Sequence, residues 1–98
     1  MKVVVAPEAA DDIEAASHWW QANRPKAPGL FEKELAEALE LVAQVPHAGA
    51  QLRRGGPAGT RRVPLGRTRY LLYYRVLETE GTVRVLRLWH ASRRRPAL

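Results

Sequence analysis

The sequence predicts an α+β domain in which an N-terminal helical hairpin packs on a small antiparallel sheet, in the order β-α-α-β-β-β. Three observations predict it. Two apolar stripes at helical spacing fill residues 7 to 45. Two runs rich in β-branched and aromatic residues, joined by a short turn, fill residues 70 to 90. A Gly- and Pro-rich stretch with little periodicity separates the two halves. A chain of 98 residues, 46% hydrophobic and 27% charged, is one domain spanning 1–98 with an ordinary globular composition.

Lys2 to Val5 is a short apolar run, read as the first strand. Pro7 suits the first position of a helix, where its missing N–H leaves no bond unmade. Glu8, Asp11 and Asp12 follow, favourable at the positive end of a helix dipole. Ala9, Ile13, Ala16 and Trp20 form the buried stripe of a helix running from Pro7 to about Ala22. Trp19 falls off that stripe, at the hairpin edge or against a partner. Asn23-Arg24-Pro25 and Pro28-Gly29 break the chain. The second stripe is Phe31, Leu35, Ala38, Val42 and Val45, with Glu32, Lys33, Glu34, Glu37 and Glu40 on the opposite face. Pro46 ends this helix at Val45, because the residue before proline avoids the α region.

Residues 47 to 60 read as a loop carrying the Arg53-Arg54 pair. Arg61 to Leu65 is a strand that Pro64 confines to an edge or a bulge. Tyr70–Leu77 and Thr82–His90 form a hairpin about the Thr79-Glu80-Gly81 turn. Strict alternation places Tyr70, Leu72, Tyr74 and Val76 on one face of the first of these strands. In the second it places Arg84, Leu86, Leu88 and His90 together. Both strands are mainly apolar on both sides, and helices can cover only one. The other face therefore awaits a partner or lies under the 47–60 loop. Arg93, Arg94 and Arg95 make a basic tail.

The net charge of +6 conceals a segregation. Residues 1–44 hold 4 basic and 8 acidic groups, and residues 45–98 hold 12 basic, all Arg, and 2 acidic. Planar guanidinium groups suit phosphate and carboxylate. The second half is thus expected to present a surface for a polyanion or an acidic partner. With no Cys, the chain has no disulfide scaffold, cysteine nucleophile or thiolate metal site. No apolar run approaches a membrane span or a secretory signal, so a cytoplasmic protein with no membrane association is expected.

Little conventional catalytic chemistry is visible. The sequence has no phosphate loop and no His-Glu-x-x-His. His18, His47 and His90 are not at metal-ligand spacing, and the carboxylates concentrate on the helices, so neither metal nor cofactor is expected. Metal-independent cleavage of RNA remains, which needs an acid, a base and cations. His90 is the acid/base candidate; its other reading is a hydrogen-bonded histidine at a sheet edge. Arg61, Arg62, Arg67, Arg69, Arg75 and Arg87 are candidate phosphate or partner contacts. Tyr73 and Tyr74 are candidates for stacking or proton donation, with packing the alternative.

An early strand with Pro7-Glu8-Ala9, Asp12-Ile13, Trp19-Trp20, Phe31-x-x-x-Leu35, Ala38-Leu39 and Pro46 before Gly49 resembles the ParE/RelE toxin superfamily. So do Arg61 or Arg62, Tyr70-Leu71-Leu72-Tyr73-Tyr74-Arg75, Val83-x-Val85-Leu86-x-Leu88-Trp89-His90 and Arg93. The resemblance covers nearly the whole chain. It implies a curved sheet beneath the helices and the toxin half of a bacterial type II toxin–antitoxin module, of the kind linked to plasmid stabilization and growth inhibition. A cognate antitoxin would neutralise it, and operator DNA would be met only through that antitoxin. RelE-like members cut messenger RNA on the ribosome; ParE-like members inhibit DNA gyrase by protein contact. Relative to the RelE-like pattern, the chain has no Tyr after Tyr74, has Gly66 with Arg67 at the strand-end basic position, and has Arg53-Arg54 where a lysine pair stands. These departures favour the ParE-like side. Under that reading no residue is catalytic, and an antitoxin-binding module without activity is a further alternative. If the chain does cut RNA, the candidates are His90, Arg93, Arg61, Arg67 and Tyr74. The expected partner or nucleic-acid contacts are Arg61, Arg62, Arg69, Arg75, Arg87, Trp89 and Arg94.

Overall fold

The computed structural model describes residues 1–98. Its elements are β1 (Lys2–Val5), α1 (Pro7–Asn23), α2 (Leu30–Gln44), β2 (Ala50–Gln51), β3 (Arg61–Pro64), β4 (Tyr70–Leu77) and β5 (Thr82–His90). One turn of 3-10 helix, Glu78–Glu80, makes the β4–β5 connection, and Gly81 closes it with φ of 64°. The five strands form one sheet in the order β1-β5-β4-β3-β2.

The sheet is mixed rather than antiparallel. β1 runs parallel to β5, pairing Lys2 with Thr82 through to Val5 with Val85. A parallel neighbour needs a long crossover, and here everything between the two strands supplies it. The expected loop at 47–60 contains the two-residue strand β2, paired with Arg61 and Arg62 of β3. β2 pairs only with Arg61 and Arg62, so the Val63–Pro64 half of β3 is a sheet edge, which is how Pro64 is tolerated.

Both helices cover one face. Ala9, Ala16, Trp20, Phe31, Leu35, Ala38 and Val42 pack on Val63, Tyr70, Leu72, Tyr74, Val83, Val85 and Leu88. Phe31 meets Tyr70 edge to face, with ring centroids 5.1 Å apart. Val45, placed on this stripe by its spacing, is instead 52% exposed, because α2 stops at Gln44 and Val45 turns away as its cap.

Two carboxylates tie the acidic helices to the basic half. Glu34, expected on the outer face of α2, is buried. Its oxygens accept the backbone N–H groups of Arg67 and Thr68 and the Thr68 hydroxyl, at 2.7–2.9 Å. Burial by itself would raise this carboxyl, but those bonds and the Arg67 charge outweigh it and hold the group below its ordinary value. Gly66 makes room: a Cβ there would sit 3.1 Å from Glu34 Oε2, at a φ of 117° that only glycine adopts readily. Asp12 of α1 does the equivalent work on β5. β1 ends at Val5, so the edge of β5 beyond Val85 has no strand beside it. Asp12 takes the free Leu88 N–H at 3.1 Å and pairs with Arg87 through both oxygens, at 2.6 and 2.9 Å.

β4 and β5 fall out of simple register between Tyr73 and Tyr74, which oppose Arg87 and Val85. Leu86 is the extra residue, a β-bulge that inverts the alternation of β5. Val83, Val85 and Leu88 therefore all face the helices. Leu88 does not share a face with Arg84, as strict alternation had it.

Candidate functional site

The sheet face away from the helices is covered by the chain itself, from an unexpected quarter. Residues 91–98 fold back across it, meeting the tip of the 53–57 loop. Trp89 Nε1 donates to the Arg94 carbonyl, Arg87 Nη1 to Ala97 O and Arg95 Nη1 to Arg54 O. Pro96 is buried, Leu98 lies against Gly56, and Tyr73 beneath is 2% exposed. The apolar patch inferred from the strands is thus not an open surface, although the 47–60 loop supplies only the margin of its cover.

The arginines around this face divide by what holds them. Arg61 donates to His47 O and Gly49 O and is a brace for the loop. Arg87 is committed to Asp12, whose bonding raises its pKa against the opposing effect of burial. Arg69 occupies a left-handed turn with φ of 65°, its carbonyl accepting the Ala91 N–H and its side chain exposed. Arg67 is also exposed, and its main chain serves Glu34. Arg94 and Arg95 are exposed on the tail. Arg53, Arg54, Arg62 and Arg95 line a shallow depression of about 450 Å³ with no acidic residue in its walls. Arg75 and Arg84 stand directly opposite each other on β4 and β5. The Trp89 indole lies under two guanidinium groups, Arg93 at 3.7 Å and Arg87 at 4.8 Å from the ring centre.

Tyr74 is not an available acid. Its hydroxyl donates to Pro46 O and accepts the Gly49 N–H, both at 2.8 Å. Gly49 is required there, since a Cβ would come within 2.7 Å of that oxygen. Tyr73 is buried, on the sheet face that the tail crosses. His90 lies at the far end of the sheet, beside Tyr70, on the helix side. Tyr70 and Tyr74 are four residues apart, about 13 Å along β4 at the usual strand rise. Sequence reasoning grouped these side chains; the fold sends His90 and Tyr74 to different ends.

A second concavity lies between α1 and the end of β5, with a volume of about 470 Å³. Asp12, Ala15, Ala16 and Trp19 of α1 line it, with Arg24, Tyr70, Leu88, His90, Ser92 and Arg93. Trp19 is 47% exposed. Arg24 stacks over both Trp19 and Trp20, at 5.2 and 5.8 Å. His90 stands edge-on to Tyr70, centroids 5.1 Å apart. Its Nδ1 accepts the Ser92 N–H and lies 2.7 Å from the Ser92 hydroxyl, which puts the proton of the neutral ring on Nε2. Burial raises the Tyr70 phenol, opposed by the nearby Arg93 charge, so Tyr70 is a neutral donor here. Arg24 was absent from the expected contacts, whereas Trp19 was expected at the hairpin edge or against a partner. The signal was the Trp19-Trp20 pair followed by an Arg at helical spacing.

The family model described as "ParE toxin of type II toxin-antitoxin system, parDE" matches residues 3–95. The chain belongs to the ParE toxin family. Among solved structures, the fold is similar to that of the chromosomal ParDE system of Pseudomonas aeruginosa, with TM-score 0.70 and 22% identity over 92% of this chain and 95% of that one. It is also similar to the RelBE2 toxin–antitoxin complex of Mycobacterium tuberculosis, with TM-score 0.59 and 26% identity over 91% and 95%. A YoeB/ParE toxin of Agrobacterium tumefaciens gives 0.64 and 20% over 92% and 98%. No curated protein sequence matches the chain. The fold is similar to ParE-type and RelE-type neighbours alike. The fold therefore does not by itself choose between their targets. No helix is long and apolar enough to cross a membrane.

Proposed function

We propose that this ParE-family toxin is neutralised by a cognate antitoxin and arrests growth by protein contact with DNA gyrase, without chemistry of its own. One observation carries the choice of target: the side chains that RNA cleavage would need are dispersed and engaged. The Tyr74 hydroxyl makes two structural bonds, Arg61 braces the loop at the same end, and His90 with Arg93 sits at the other end on the helix side. Cleavage by the 2′-hydroxyl needs base, acid and cations around one phosphate. The uncommitted arginines Arg62, Arg75 and Arg84 then read as contacts to a protein surface. Operator DNA is reached only through the antitoxin. The antitoxin is supported by the family and by the neighbours, several of which are toxin–antitoxin complexes. The chain works in the cytoplasm, where either target resides.

The test is expression of the chain alone from a tightly controlled promoter, following growth, DNA breaks and message integrity. Gyrase-dependent breaks with intact messages are expected, unchanged in His90→Ala. Codon-phased message cleavage that His90→Ala abolishes would overturn the gyrase assignment. Normal growth with a folded chain would mean a binding module without a target.

A further inference from the structure

Four arginines converge from three separate segments on the shallow depression of about 450 Å³: Arg53 and Arg54 of the 53–57 loop, Arg62 of β3 and Arg95 of the tail. Ala50, Gln51 and Leu52 complete its walls. The fold builds this convergence. β2 sets Ala50 opposite Arg62, and Arg95 Nη1 donates to the Arg54 carbonyl at 2.6 Å. Gly55, at φ of 81°, lets the guanidinium group in, since a Cβ there would sit 3.1 Å from Arg95 Nη1. No counter-charge accompanies the four cations. The two ion pairs of the chain, His47–Glu78 and Arg87–Asp12, involve none of them, and no acidic residue lines the walls. Like charges gathered without a counter-ion repel one another, and an anion among them relieves that repulsion.

We infer that this depression binds a compact polyphosphate group, such as the phosphate chain of a nucleoside triphosphate, and that the bound anion clamps the tail over the sheet. Guanidinium forks match phosphate oxygens two at a time. One phosphate group brings a charge of about −2 at neutral pH, half of what the four cations can balance; a chain of two or three phosphates brings the rest. The walls hold no aromatic ring on which a base could stack, so the phosphates are read and the base is not. A polynucleotide spreads its charge along the strand instead of concentrating it. Arg95 belongs to the tail, and Arg53, Arg54 and Arg62 do not, so an anion bridging them fastens the tail down. Such a site stands whichever target the chain has; Arg62 is the one arginine it shares with the surface proposed for gyrase.

The test uses the full chain, titrated in a calorimeter at fixed low ionic strength and without divalent metal. The probes are inorganic tripolyphosphate, adenosine triphosphate, citrate and a short oligothymidylate. One tripolyphosphate per chain is expected, with adenosine triphosphate binding as well and citrate and the oligonucleotide far more weakly. Arg54→Gln, Arg62→Gln and Arg95→Gln should each weaken tripolyphosphate binding about tenfold, the scale of losing one charge-assisted contact. Lys33→Gln, which removes the same charge from an exposed position on α2, should stay near wild type. Thermal unfolding checks that each variant is folded; Arg62 is half-buried, and should Arg62→Gln not fold, Arg53→Gln replaces it. Amide exchange in residues 53–57 and 91–98 should slow when tripolyphosphate is added to wild type but not to Arg95→Gln. No binding, several anions per chain, or equal weakening by Lys33→Gln would overturn the site, leaving general attraction to a basic chain. Citrate binding as tightly as tripolyphosphate would overturn the phosphate assignment, and tighter oligothymidylate binding lost in the same variants would replace it with a polynucleotide. Unchanged exchange at saturation would overturn the clamp.

Discussion

Under the helices the sheet meets Phe31, Leu35, Ala38, Val42 and Trp20, all nearly or fully buried. On its opposite face it meets eight residues of tail, of which only Pro96 is buried. The first closure is an interdigitated core, further tied by Glu34 and Asp12. The second is a strap, held by three bonds to main-chain carbonyls and by Leu98 against Gly56. Burial of wide apolar area is cooperative and strong, whereas a terminal strap opens at small free-energy cost. A protein whose work is to meet partners can expose the strapped face without unfolding.

That contrast predicts a steep order of effects. Phe31→Ala, at a fully buried position, should cost about 3–5 kcal/mol and bring a domain of this size close to unfolding at room temperature. Denaturant titration checks it. Glu34→Gln comes next, at about 2 kcal/mol, because an amide presents N–H where Arg67 and Thr68 already offer N–H. Its pH dependence has a definite sign. The Glu34 carboxyl is held below its ordinary value of 4.5, so its contribution is complete above that pH and is lost as pH falls through the lower folded value. The gap between wild type and Glu34→Gln should therefore be widest near neutrality and shrink in acid. A gap that widens on acidification would mean the carboxyl is not stabilised by these bonds.

Wherever one local rule governed, the sequence was a sufficient guide. Both helices, the β4–β5 hairpin and its turn lie where periodicity and turn residues put them. What escaped depended on contacts remote in sequence. Glu34 looked like one more acidic residue on an outer face, and only the arrival of Thr68, 34 positions away, buries it. Leu86 carries no mark of a bulge, which is set by pairing with β4. β1 looked like any edge strand, and its direction is decided by the whole intervening chain. The arginine count was legible, but not which arginines are engaged: nothing local separates Arg87, paired with Asp12 75 positions away, from Arg84, which is exposed. His90 and Arg93 are close in sequence and stayed together; Tyr74 and Arg61 were drawn to the other end by Gly49 and Pro46.

Removing Arg95–Leu98 sharpens the comparison. The deletion takes away Pro96, the Arg95 bond to the Arg54 carbonyl, the Arg87 bond to the Ala97 carbonyl and the Leu98 contact with Gly56, but nothing under the helices. Stability should fall by only about 1 kcal/mol, the scale of one or two modest hydrogen bonds. Amide exchange should quicken in residues 53–57 and around Tyr73 while α1 and α2 keep wild-type protection. Uniform quickening across both helices would show that the strap is part of the global fold.

The smallest expected effect has the opposite sign. Arg75 and Arg84 face each other in register across β4 and β5, on the strapped face. Like charges directly opposite oppose pairing, and an opposite pair favours it by about 0.2–1 kcal/mol. Arg84→Glu should therefore stabilise the chain by a few tenths of a kcal/mol, seen as a small rise in denaturant midpoint. No such tension exists under the helices, where the polar groups near the core are bonded. A measured gain would mean that this like-charged pair is kept at a net cost in stability, as expected of a surface that serves binding. If Arg84→Glu gains stability and loses toxicity, while antitoxin affinity is unchanged, the strapped face is the one turned to the target. If it gains stability and keeps full toxicity, the target is met elsewhere.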